Sequence, residues 1–105
     1  MPDIWELINK TTDGYNKRFP GGNDPFKIVC RITEEVGEIA QQVNHFENQG
    51  VKQAKMGDPD REHLAKEVKD TINTVMQLVR YYKLEPEVGQ AFQRTYDRMK
   101  QEQLV

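Results

Sequence analysis

Twice in its 105 residues the chain sets an aspartate before a proline, at Asp24-Pro25 and Asp58-Pro59, and follows the pair with a run in which apolar side chains return every three or four positions. An aspartate can accept from the first free N–H groups of a helix, and a proline pre-sets φ at the first helical position, so each pair is a helix start. Helical spacing then gathers the apolar residues into one stripe. From about Pro25 to Gln49 the stripe is Ile28, Val29, Ile32, Val36, Ile39, Ala40, Val43 and Phe46, with Gly50 suited to a left-handed stop. From about Pro59 to Lys83 it is Leu64, Val68, Ile72, Val75, Val79 and Tyr82. The short connection between Gly50 and Asp58 makes the two helices antiparallel neighbours, with these stripes packed on each other.

The remaining segments read as helices too. Asp3 followed by Glu6 resembles a capping pair for a first helix ending near Arg18, and Phe19-Pro20-Gly21-Gly22-Asn23 is a loop. Glu85-Pro86 opens a last helix that fades in Lys100-Gln101-Glu102-Gln103. No stretch has the strict two-residue alternation of a half-buried strand, so the expected fold is all-α. It is a single domain over residues 1–105, a four-helix bundle around an antiparallel central pair. The first and last segments carry few apolar residues and leave that pair thinly covered, which points to completion by a homodimer or homotetramer.

The two central helices also carry an echo. Glu35-Val36-Gly37-Glu38 and Glu67-Val68-Lys69-Asp70 each place two acids three residues apart on one helix face, at matching offsets from the apolar stripe. Antiparallel packing lets both acidic edges line one cleft. Like charges at about 5 Å repel by about 3 kcal/mol per pair at an effective dielectric near 20, so four converging carboxylates call for a cation. Magnesium, with manganese as a substitute, prefers such oxygen ligands, and four formal negatives balance two divalent ions. The rival reading is a solvated face, with Glu35 paired to Arg31 and Asp70 to Lys66 at four-residue spacing. Two details favour the site. Glu34 and Glu38 are a like-charge pair at four-residue spacing, and the acids flank the apolar stripes rather than oppose them.

Charge and composition narrow the partners. The net charge of −2 with scattered Lys and Arg excludes a nucleic-acid polymer and an anionic membrane surface, and no apolar run is long enough for a membrane span. Mean hydropathy is −0.85, so the core must be small. One cysteine, Cys30, and an N-terminus without a basic-then-apolar run suggest a cytoplasmic protein. Cys30 reads as core filler. His45 and His63 do not follow a glutamate by three residues, so the Glu-x-x-His pattern of di-iron bundles is absent and both read as polar-face residues. Gly37 inside a helix costs about 1 kcal/mol against alanine, which suggests a close approach at that point.

Glu34-Glu35-Val36-Gly37-Glu38 followed by Glu67-Val68-Lys69-Asp70 resembles the EExxE and ExxD signature of the MazG-like all-α nucleoside triphosphate pyrophosphohydrolases. The likeness extends from Phe26 to Tyr82. It implies magnesium-dependent hydrolysis of a nucleoside triphosphate, including deoxy forms, to the monophosphate and pyrophosphate, as in clearance of unwanted nucleotides. It further implies Glu35, Glu38, Glu67 and Asp70 as metal ligands and Glu34 as the residue that orients or deprotonates water. Lys27 and Arg31, two turns and one turn before Glu35, are placed to reach a triphosphate or to screen the acids. Arg94 and Asp97 stand where family members often have a basic residue and an asparagine, so Arg94 is a further substrate candidate. Trp5, Tyr15 and Phe26 are the aromatics available to stack on a base. The alternative function is a helical module that binds a nucleotide or a protein without turnover.

Overall fold

The computed structural model of the protein describes residues 2–48, 54 and 57–105. Within them the chain forms four helices and no strand: α1 (Ile4–Arg18), α2 (Pro25–Glu47), α3 (Arg61–Tyr81) and α4 (Glu85–Gln101), with a 3₁₀ turn at Pro20–Gly22. The caps follow local chemistry. Asp3 accepts from Glu6 N and Asp24 from Lys27 N, as the sequence suggests. The third start differs, because Asp60 is the cap and accepts from Glu62 N, leaving Asp58-Pro59 in the approach. α2 closes at Glu47, and the expected stop at Gly50 lies outside the described residues. α3 ends with Lys83 in the left-handed region at φ 54° and Leu84 N bonded to Val79 O, a glycine-type cap made without glycine.

α2 packs on α3, and α1 on the other flank of α3. The α2–α3 pairing is antiparallel by its own register: Arg31 meets Gln77, Glu35 meets Thr74 and Glu38 meets Glu67. α1 is fastened by polar contacts. Arg80 donates to Asn9 O and Oδ1 at 3.0 Å and to Asp13, and Asn73 Nδ2 donates to Thr11 and Thr12.

The core differs from the expected one. Among the described residues Ile28, Met76 and Val79 are buried, but the other buried residues are polar: Thr12, His45, Glu67, Asn73, Thr74 and Gln77. The expected stripe of α3 is half open, since Val68, Ile72 and Val75 stay about 40 % exposed. On α2, Val29, Val36 and Val43 recur every seven residues along one line and are about half exposed. α4 has no packing of comparable extent, and Phe92 on it is 74 % exposed. The radius of gyration is 17.2 Å, against about 13 Å for a compact chain of this length. Within one chain the fourth helix does not cover the central pair, which leaves the apolar edge of α2 and α3 open.

Candidate functional site

The antiparallel register of α2 and α3 brings the two acid pairs together, as their spacing suggests. Glu35 Oε1 accepts from Thr74 Oγ1 at 3.1 Å, while its Oε2 is buried with no hydrogen-bond partner. Its pKa is raised: burial raises it, the Thr74 hydrogen bond opposes that, and the charges of Asp70 and Glu67 raise it further. Glu38, on the exposed rim, shares a carboxyl–carboxyl hydrogen bond with Glu67, and this contact, together with Glu67's charge, holds its pKa above the usual range. Two carboxyl groups in hydrogen-bond contact need a proton or a cation between them.

Basic side chains take up the rest of the charge. Asp70 is pulled up by burial, but hydrogen bonds from Lys69 and Lys66 outweigh it and its pKa is lowered. The distances are 2.6 Å from Lys69 Nζ and 3.2 Å from Lys66 Nζ. His63 Nε2 lies 3.1 Å from Glu67 Oε1. Among the described residues no three His, Cys, Asp or Glu side chains stand in an arrangement that holds a metal ion. The donor set nonetheless fits a hard divalent ion in kind: four carboxylates near one another, one with a buried unpartnered oxygen.

Beside the acids opens a cavity of about 640 Å³, the size range of a small-molecule site. α1 and the 3₁₀ turn give it Tyr15, Phe19, Gly21, Gly22 and Asn23; α2 gives Arg31 and Glu35; α3 gives Asp70, Asn73, Thr74 and Gln77. Arg31 is at its wall, donating to Gly22 O at 2.8 Å and to Gln77 Oε1 at 3.0 Å. Lys27 donates to Gly21 O at 3.1 Å on the outside of the same turn. A Cβ on Gly22 would stand 3.2 Å from Arg31 Nη1, so the guanidinium would have to give by a few tenths of an ångström.

Other expected residues fall elsewhere. Glu34 is exposed and outside the lining, and Arg94 is exposed on α4, away from the cavity of its own chain. Of the three aromatics only Tyr15 reaches the cavity; Trp5 and Phe26 face out, and Phe19 is the aromatic that sequence reasoning missed. Asn23, Asn73, Thr74 and Gln77 were missed as well. A signal was present: positions 67, 70, 74 and 77 form an unbroken polar line at helical spacing, continuous with the acids. The histidines are not idle surface groups. His45 is buried with Nε2 2.7 Å from Gly57 O, tying the end of α2 to the approach to α3, and His63 contacts Glu67. Cys30 is exposed rather than core filler. A Cβ on Gly37 would meet nothing within 4 Å, so no close approach among the described residues explains the glycine.

Comparison of the chain with family models, with curated proteins and with solved structures finds no match. Among the described residues no helix is long and apolar enough to cross a membrane.

Proposed function

We propose that the chain is a small MazG-like nucleoside triphosphate pyrophosphohydrolase that works with magnesium, or manganese in its place, as a homodimer or homotetramer. The observation that carries the reading is the meeting of Glu35, Glu38, Glu67 and Asp70 beside a cavity large enough for a nucleoside, whose wall Glu35 and Asp70 share. These four would hold the ions, exchanging the present lysine, histidine and proton partners for divalent charge. The bound ions supply charge neutralisation for the leaving pyrophosphate and acidify water.

The chain's own groups do the positioning. Arg31 offers a fixed guanidinium at the cavity wall, beside Gln77, for an acceptor of the substrate, and Lys27 lies one turn further out. Glu34 takes the water-orienting role, one turn before Glu38 on the open flank of α2. Tyr15 and Phe19 form the apolar wall for the base. Arg94 serves a site only if α4 of another subunit brings it there, which accords with the open apolar edge of α2 and α3. The lone cysteine accords with a cytoplasmic enzyme.

The test is incubation with a panel of standard and deoxy triphosphates and magnesium or manganese, reading pyrophosphate and orthophosphate separately. Pyrophosphate release is the expected result. No turnover of any member, with a nucleotide that still raises the melting temperature, establishes the non-catalytic binding module instead.

A further inference from the structure

Inside the cavity one amide has its orientation fixed by its neighbours. Asn73 is 3 % exposed, and its Nδ2 lies 2.9 Å from Thr11 Oγ1 and 3.0 Å from Thr12 Oγ1. Each hydroxyl has a single proton, and each already directs it to a backbone carbonyl of α1: Thr11 to Leu7 O at 2.8 Å and Thr12 to Ile8 O at 2.7 Å. Both hydroxyls therefore face Asn73 as acceptors, and only the NH₂ arm of the amide can meet them. A flipped amide would set its oxygen against two lone pairs.

With both N–H groups committed to α1, Asn73 Oδ1 is an acceptor and nothing else. It is buried and has no donor. Among the described residues two other buried acceptors lack a partner, Asn23 Oδ1 and Glu35 Oε2, and both residues line the same cavity. Gln77 differs: its oxygen accepts from Arg31 at 3.0 Å and its NH₂ donates to Asn16 Oδ1 at 3.1 Å. A buried carbonyl left unpaired is costly, and folded chains keep few of them.

The order along α3 gives the orphan a direction. Asp70, Asn73 and Gln77 lie on the cavity side, spaced by about 4.5 Å and about 6 Å along the helix axis. A nucleotide laid along α3 with its phosphates at Asp70 passes its sugar and then its base over Asn73 and toward Gln77 and Asn23. We infer that Asn73 determines ligand specificity: its Oδ1 accepts a hydrogen bond from the nucleoside, so the cavity selects nucleosides that present an O–H or N–H donor there. This rests on the nucleotide-binding part of the function proposed above. The donor is a sugar hydroxyl or an exocyclic amino group of the base.

Calorimetric titration of the full chain with nucleoside 5′-monophosphates in magnesium buffer tests it without requiring turnover. dCMP against its 2′,3′-dideoxy analogue isolates the sugar hydroxyl; dCMP against the 4-unsubstituted pyrimidin-2-one deoxynucleotide, which lacks the amino group and keeps N3 as an acceptor, isolates the amino group. In the wild type one of the two pairs separates by about tenfold or more in Kd, the donor-bearing member binding tighter. In Asn73→Leu that separation falls to about twofold or less, whereas a merely structural role would weaken both members alike and keep their ratio. If the variant does not fold, the Cγ resonance of Asn73 in the labelled wild type decides: it moves with the donor-bearing ligand and not with its analogue. Equal affinity within both pairs, a separation that survives in Asn73→Leu, an unmoved Cγ resonance, or no binding by any of the ligands overturns the assignment. Binding with the expected separation but no pyrophosphate release supports it while ending the enzymatic reading.

Discussion

Thr74 Oγ1 lies 3.1 Å from Glu35 Oε1, a hydroxyl of α3 set against the most burial-perturbed acid of α2. That hydroxyl also lies 2.9 Å from Asp70 O, so its one proton is given to the carboxylate of Glu35 or to the backbone carrying Asp70. The acid cluster thus inherits its geometry from the helix seam rather than from a loop.

Thr74→Val removes this hydroxyl at nearly constant volume. Glu35 loses the hydrogen bond that opposes burial, so its pKa rises further and the acid limb of the pH–rate profile moves to higher pH. The expected stability loss is about 1 kcal/mol, read from urea unfolding.

Glu38→Gln replaces a carboxyl pair with a neutral amide beside Glu67. Without divalent metal the variant melts above the wild type at neutral pH. Magnesium or manganese raises the wild-type melting temperature, an excess of chelator reverses the rise, and the variant gains much less. A metal response as large as that of the wild type removes Glu38 from the ligand set.

The pH dependence of the metal-free chain follows from the signs. Glu35 and Glu38 are raised above 4.5, so the folded chain holds more protons than the unfolded one as pH climbs past that value, and stability falls through the window above it. Asp70 is lowered below 3.8, so its contribution is present above that value and lost as pH falls through the depressed pKa. Thermal unfolding from about pH 4 to about pH 7 should therefore show a decline that Glu38→Gln reduces.

Arg80 fastens α1 to α3 through Asn9 and Asp13, with its side chain only 24 % exposed. Arg80→Ala should cost about 2 kcal/mol, seen as a lower urea midpoint at unchanged slope. It leaves Glu35 and Asp70 in place but loosens Tyr15 at the cavity wall, so KM rises more than kcat falls.

Val36→Glu puts a charge in the middle of the line Val29, Val36, Val43, half exposed in one chain. Because the site is open, the folded subunit tolerates it, and light scattering on a sizing column should report a smaller species than the wild type. An unchanged mass places subunit contacts elsewhere.

The helices were legible because Asp-Pro starts and three-four spacing are local signals, and the acid pairs were legible because equal offsets on antiparallel helices must meet. The core was not. Apolar spacing marks a stripe but not its partner, and α3 turns Asn73, Thr74 and Gln77 inward while Val68, Ile72 and Val75 stay half open. Asp60 rather than Asp58 caps α3 because the cap is set by where the chain enters from the turn at Gly57, whose carbonyl His45 holds. The cavity wall was missed for a similar reason, since Asn23 and Phe19 reach it only through the path of the loop before α2.

The 3₁₀ turn at Pro20–Gly22 is moored to α2 by two cations, Lys27 on Gly21 O and Arg31 on Gly22 O. An anion arriving at Arg31 meets a guanidinium already held by Gly22 O and Gln77 Oε1, with N–H donors left over. The turn and the helix seam thus aim the cation before any ligand comes.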